Sequence, residues 1–501
     1  MDITVPTSHG TVRGRQRHGV TAFLGIRYAA PPFGPRRMRP PQPPEPWTGV
    51  RDALEYGPSA PQPGYRPPIS DLLPDARPWG EDCLCLNVWT PGPGRTGGSL
   101  PVMVWIHGGA FRNGAGSLPL YDGTRLAADG TVCVTLNYRL GAEGFALPAD
   151  GTANLGLLDM IAALEWVREN IAAFGGDPDR VTVFGESAGA MSAVTLMAVE
   201  RARPLFRRVI AQSGAGHHTH PADVARRLTE RLAALAGTRP TLEGLAATPP
   251  ERLITANTAL AQELAGSHDR DRWGEAAGGT LTLLPVVDGT TLTARPADAL
   301  AEGHATGTDL LLGTNSDEFR FFLVPVGREH RVTEAAVRAL LASYGLAPDP
   351  ALAAYRAARP GATPADLLSA VVTDHAYRIP ALRLAEARAA HGADTYLYEF
   401  AWPSPAFDGR LGACHTLEIP FVFGTLGTAL TGPDAPAGLS DRMRGAWTAF
   451  ARDGRPGTAG GQLPAWPPYG TERAVLRLGD GPATVRRDPA RAERLLWQQV
   501  R

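Results

Sequence analysis

Gly185-Glu-Ser-Ala-Gly189 carries the clearest chemical spacing in this 501-residue chain. Val181-Thr-Val-Phe184 before it is β-branched and apolar and predicts a strand, and Met191 to Met197 after it can be helical. A serine on so sharp a strand-to-helix turn is held in a strained backbone conformation. Its hydroxyl then projects clear of the sheet, as a nucleophile requires. The flanking glycines keep side chains away where strand and helix pass closely. The helix N-terminus behind Ser187 offers free N–H groups and a positive dipole end to an oxyanion.

A serine nucleophile needs an oxyanion hole, a base, and an acid that orients the base. Trp105-Ile-His-Gly-Gly-Ala-Phe111 follows a predicted strand, and its glycines can bring backbone N–H groups up to a substrate oxygen. Leu312-Gly-Thr-Asn-Ser-Asp-Glu-Phe319 follows another strand, and catalytic groups gather at the carboxyl ends of parallel strands. Asp317 and Glu318 are both candidates for the acid. Gly412-Ala-Cys-His415 puts a histidine in a loop beyond the strand Thr395–Phe400, as candidate base. The order serine, acid, histidine is that of the α/β-hydrolases.

The elements that must hold these groups alternate. Strands are predicted at Leu84–Trp89, Val102–Ile106, Thr131–Leu136, Val181–Phe184, Thr308–Gly313, Thr395–Phe400 and Ala474–Leu478. Leu157, Ile161, Leu164 and Val167 form one stripe of a helix over residues 157–170. This alternation argues an α/β fold with a mixed, mostly parallel central sheet and helices on both faces. Residues from about 222 to 400 are richer in helix, predicted as a region embedded over the site. We expect a single domain over residues 1–501.

Composition narrows the class. Hydrophobic residues make up 44% and charged residues 20%, as in ordinary globular chains. Net charge is −1, which gives no basis for a nucleic-acid partner or an anionic membrane surface. All 49 basic residues are arginine. No stretch approaches a transmembrane length and no signal peptide is evident, so no membrane association is expected. Cys83, Cys85, Cys133 and Cys414 read as buried free thiols in a reducing, cytoplasmic compartment. His217, His218 and His220 have metal-like spacing but no partner carboxylate or cysteine nearby, so no metal is expected.

Across nearly its whole length the chain resembles the type-B carboxylesterases, the family of carboxylesterases, cholinesterases and bacterial p-nitrobenzyl esterases. The resemblance rests on Phe23-Leu-Gly-Ile-Arg-Tyr-Ala29, Glu81-Asp-Cys-Leu-Cys-Leu-Asn-Val88, the loop at 107–111, Asn137-Tyr-Arg-Leu-Gly141, Phe174-Gly-Gly-Asp-Pro178, Gln212-Ser-Gly214 and the motifs above. The bacterial p-nitrobenzyl esterase branch is the most similar. The resemblance implies an α/β-hydrolase fold and a cofactor-free serine esterase acting on small-molecule esters, as a monomer or weak homo-oligomer. It implies Ser187 as nucleophile, Glu318 rather than Asp317 as acid, and His415 as base. It implies N–H groups of Gly108, Gly109 and Ala188 as the oxyanion hole, with Ser213 and Glu186 as supporting side chains. Arg37 is expected to pair with Glu81. The alternatives are an amidase or carbamate hydrolase using the same triad, or a non-catalytic member of the family. Leu73 stands where cholinesterases carry a tryptophan, which disfavours choline esters.

Overall fold

The computed structural model describes residues 1–94, 99–267, 269–279, 281–457 and 459–500. The chain divides into two compact units. One comprises residues 1–65, 74–210 and 216–308, the other residues 66–73, 211–215 and 309–501.

In the first unit the strands lie in the order Asp2–Thr7, Gly10–Arg17, Val20–Arg27, Cys85–Thr90, Val132–Leu136, Leu100–Ile106, Gly176–Glu186 and Arg208–Gln212. Successive pairings up to Val132–Leu136 are antiparallel. Leu100–Ile106 then pairs in parallel with both its neighbours. Its residues from Val102 to Ile106 are all fully buried. A parallel strand covered on both faces needs such a continuous apolar run instead of an alternating one. The expected stripe of Leu157, Ile161, Leu164 and Val167 lies buried on the helix Leu155–Asn170. Arg208–Gln212 carries the chain into the second unit.

In the second unit Asp309–Asn315, Thr395–Phe400 and Ala474–Leu478 are parallel neighbours, and Thr484–Arg487 pairs antiparallel at the end. The helices Glu334–Ser343, Pro348–Ala358, Pro364–Thr373, Ile379–Ala390 and Ala437–Asp453 belong to this unit. A π-helical turn, Asp374–Arg378, joins Pro364–Thr373 to Ile379–Ala390. The helix-rich region at 222–400 is thus divided between the units: Ala222–Ala236 and Pro250–Ala265 belong to the first.

Arg37 does not pair with Glu81. Its Nε and Nη2 both bond to Oε1 of Glu143, at 3.0 and 2.5 Å. Both partners are buried, whereas Glu81 is exposed and water already solvates its carboxylate. The four cysteines are buried thiols. Among the described residues no helix is long and apolar enough to cross a membrane.

Candidate active site

Ser187 ends the strand Gly176–Glu186 and precedes the helix Ala188–Ala198, with φ 53° and ψ −122°. A side-chain-bearing residue rarely holds a positive φ, and the turn stores that strain at the nucleophile candidate. The flanking glycines are sterically required. A Cβ on Gly189 would lie 1.9 Å from the Ile106 carbonyl oxygen, and one on Gly185 would lie 2.6 Å from the same atom. Strand, turn and helix therefore close onto the neighbouring strand with no room for a methyl group.

The strand Leu100–Ile106 runs directly into the predicted oxyanion loop. A Cβ on Gly108 would meet Glu186 Oε2 at 2.6 Å and Ser187 Cβ at 3.3 Å, so this loop is packed against the serine turn. Gly109 has φ 112°, and its carbonyl accepts from the N–H groups of Arg112 at 3.1 Å and Asn113 at 2.9 Å. The Gly108 carbonyl lies 2.8 Å from Nδ1 of His107. Both carbonyls are thus bonded within the loop. His107 stacks on Tyr138 at 4.5 Å between centroids, and the Tyr138 hydroxyl donates to the His107 carbonyl at 2.9 Å. Burial lowers the His107 pKa to about 4, so its ring is neutral at pH 7.

In the second unit, Glu318 and His415 meet. Glu318 is fully buried and His415 is 3% exposed; Nδ1 of His415 lies 2.6 Å from Glu318 Oε2. The second carboxylate oxygen accepts from the Asn315 N–H at 2.8 Å, and the His415 N–H donates to the Glu318 carbonyl at 3.3 Å. A carboxylate on Nδ1 fixes the tautomer and leaves Nε2 as the basic nitrogen. Asp317 turns elsewhere: its Oδ2 accepts from Ser316 Oγ and the Ala413 N–H, and its Oδ1 faces Arg320 at 3.3 Å. Of the two adjacent acids, Glu318 is the one on the histidine.

A second buried carboxylate, Glu418, was not anticipated from the sequence. It accepts from Gln212 Nε2 at 3.0 Å and from Asn315 Nδ2 at 2.7 Å. Gln212 in turn accepts from Trp447 Nε1 at 2.9 Å. Burial, then the like charge of Glu318, raises the Glu418 pKa. The signal was available: an acid three positions after the histidine, within a run of apolar residues ending in Ile419-Pro-Phe-Val-Phe423. Ser213 has φ 55° and bonds through its N–H to the Gly313 carbonyl at 2.8 Å; its buried hydroxyl has no protein partner among the described residues. Glu186 is buried against Gly108.

The histidine cluster is built differently from a metal site. His217 and His218 pack ring on ring at 3.7 Å, and Nε2 of His220 bonds to the Thr282 carbonyl at 3.1 Å. Among the described residues no group of three or more potential metal-binding side chains is gathered.

Comparison with known proteins agrees along the whole length. The profile of the carboxylesterase family matches residues 1–497. The para-nitrobenzyl esterase of Bacillus subtilis is 40% identical, covering 98% of this chain and 97% of its own. The phenmedipham hydrolase of Pseudarthrobacter oxydans is 38% identical, covering 98% of both. A crystal structure of a Geobacillus stearothermophilus carboxylesterase superposes with a TM-score of 0.85 at 38% identity, covering 99% of this chain and 100% of its own.

Proposed function

The chain belongs to the carboxylesterase family and is a carboxylic-ester hydrolase of the α/β-hydrolase fold; from that premise we propose that Ser187, His415 and Glu318 form its catalytic triad. The observation that carries this reading is the buried 2.6 Å contact between His415 Nδ1 and Glu318 Oε2, which makes Nε2 the nitrogen that can act as base. The strained φ of Ser187 supports its part.

The reaction follows from these groups. His415 Nε2 takes the Ser187 proton as Oγ attacks the acyl carbon. The N–H groups of Gly108, Gly109 and Ala188 hold the oxygen that gains the negative charge, and losing one such donor typically costs about 3–4 kcal/mol. The tetrahedral intermediate collapses, the C–O bond to the alcohol breaks, and His415 gives its proton to that oxygen. Water then attacks the acyl-enzyme with His415 again as base. This releases the carboxylic acid and restores Ser187. Glu318 holds the imidazole in place and balances its charge when it is protonated. Ser213 and Glu186 are assigned supporting roles.

Ser187→Ala should keep the fold and lower turnover on p-nitrophenyl esters by about a thousandfold or more. A variant retaining more than that, free of contaminating esterase, would remove Ser187 from the role. Carbamate hydrolysis is a second reading, favoured by the likeness to a phenmedipham hydrolase. Matched esters, anilides and carbamates of one aromatic leaving group would separate the activities. We read residues 1–501 as one hydrolase domain acting in the cytoplasm. Four buried thiols support a reducing compartment, and dithiothreitol should leave the Tm unchanged.

A further inference from the structure

Among the described residues Arg112 has no acidic partner in a salt bridge. It directly follows the oxyanion loop, and its own backbone N–H, which a side-chain substitution keeps, bonds to the Gly109 carbonyl at 3.1 Å. Its Nε is fully buried and donates to no protein acceptor, and among the described residues its guanidinium forms no salt bridge. Two buried arginines of this unit do have acidic partners: Arg37 sits on Glu143 and Arg139 on Asp159, whereas Arg112 is half-buried. A guanidinium with one nitrogen buried and unpartnered bears a desolvation cost, which a bound anion would offset.

The surroundings say what kind of anion fits. Arg112 lines a small hollow whose walls include Leu140, Leu253 and Ile254. Asn257 lines it too and is more than nine-tenths buried. Its Oδ1 accepts from the Thr282 hydroxyl at 2.6 Å, while its Nδ2 donates to no described acceptor. Two donor groups therefore face a partly apolar hollow. Glu143 shares the wall; both Arg37 hydrogen bonds fall on its Oε1, and its buried Oε2 has no hydrogen-bond partner among the described residues. The wall itself carries Arg112 and Glu143; Arg37 lies outside it and takes Glu143 as its ion-pair partner, which leaves Arg112 as the remaining charge of the three. Tyr65 lies within electrostatic reach of both Arg112 and Glu186, the residue before Ser187. The geometric link between the hollow and the oxyanion loop is Arg112 itself, whose N–H holds the Gly109 carbonyl.

We propose that Arg112, assisted by Asn257, receives a carboxylate carried by the ester itself, so that the enzyme favours anionic esters such as half-esters of dicarboxylic acids. The proposal rests on the esterase reading above, with Ser187 as nucleophile. Arg112 takes no part in bond making or breaking. It binds the charged end of a substrate whose ester carbonyl oxygen sits at the N–H groups of Gly108 and Gly109. The carboxylate can stand on the acyl side or on the alcohol side of the ester.

The test pairs each anionic ester with its neutral amide. Monoethyl adipate and ethyl adipamate place the charge on the acyl side; acetoxyacetate and acetoxyacetamide place it on the alcohol side. Arg112→Gln should lower kcat/KM about tenfold or more for the anionic member of at least one pair, chiefly through KM, a size typical of a hydrogen bond to a charged group. It should change both neutral esters by less than about twofold. Arg112→Lys should keep part of the preference, and Asn257→Ala should lose a smaller part. The pair that responds identifies the side of the ester that bears the charge. Equal losses on anionic and neutral members, or no loss on either, would overturn the proposal. If Arg112→Gln does not fold, the wild-type enzyme decides: anionic members turned over more than about tenfold more slowly than their amides would also overturn it. Failure of the esterase reading would look different, because the neutral ethyl and acetyl esters would then not be hydrolysed either.

Discussion

Asp317 and Glu318 are chain neighbours with opposite surroundings. Glu318 is fully buried on His415, whereas Asp317 is part-exposed and spends its oxygens on Ser316, the Ala413 N–H and Arg320. Only a carboxylate on the imidazole can stabilise its charged form. Glu318→Gln should therefore lower kcat on a p-nitrophenyl ester by about a hundredfold or more, while Asp317→Asn should stay within about threefold of wild type. The reverse ranking in side-by-side steady-state assays would reassign the acid. Glu418 tests a different point. It holds the side chains of Gln212 and Asn315, and Asn315 in turn holds Glu318 through its N–H. Glu418→Leu leaves Gln212 Nε2 without its acceptor, at a cost of about 1–3 kcal/mol, and takes from Asn315 Nδ2 one of its two acceptors, the other being the Cys414 carbonyl; it should lower the Tm as well as kcat. A kcat loss at unchanged Tm would mean that the carboxylate acts on the chemistry by charge alone.

At the scale of elements, the site depends on two backbone segments meeting where no Cβ fits. Gly189→Ala would drive a methyl group into the Ile106 carbonyl, at 1.9 Å with backbone unmoved. The strand Leu100–Ile106 is fully buried from Val102 on and paired on both sides, so it cannot give way. Soluble yield of this variant should collapse, or its Tm fall steeply. Gly19→Ala, where nothing lies within 4 Å, should be far milder even at its φ of 81°. The oxyanion loop makes a separate prediction. A glycine carbonyl pointing at the alcohol portion of an ester would crowd a branched alcohol. Here the Gly109 carbonyl is held by the Arg112 and Asn113 N–H groups and the Gly108 carbonyl lies against His107. Tertiary-alcohol esters such as tert-butyl acetate should consequently be accepted, more slowly than primary esters because small misplacements of attack are costly. Release of tert-butanol no greater than from Ser187→Ala, with p-nitrophenyl acetate turned over normally, would count against that orientation.

At the scale of the whole molecule, what could be read in the sequence was local. The glycine–serine turn, the paired glycines after Ile106 and the loop around His415 each follow from residue types within a few positions, and so do the strands that carry them. What depends on tertiary burial was not legible. Nothing local distinguishes Glu318 from Asp317 beyond a family resemblance, and nothing local gives Arg37 to Glu143 over Glu81. The carboxylate of Glu418 and the Arg112 Nε, which has no acceptor among the described residues, became visible only through what surrounds them. Burial also sets the acid side of stability. His107 and His220 are both held neutral, with pKa lowered from 6.5 to about 4 chiefly by burial. A lowered folded-state pKa means that the unfolded chain binds protons first, so the contribution is complete above about pH 6.5 and is lost as pH falls towards 4. Each histidine should cost about 2 kcal/mol of stability between pH 8 and pH 5. Glu418 opposes them. Its raised pKa favours the folded state while it is protonated, and that contribution fades as pH rises through the raised value. With two histidines against one carboxylate, the Tm should fall between pH 7 and pH 5. His220→Gln retains a donor for the Thr282 carbonyl but removes the titration, so it should show a clearly shallower fall. Parallel curves for the two proteins, at one scan rate and ionic strength, would show that the acid sensitivity arises elsewhere.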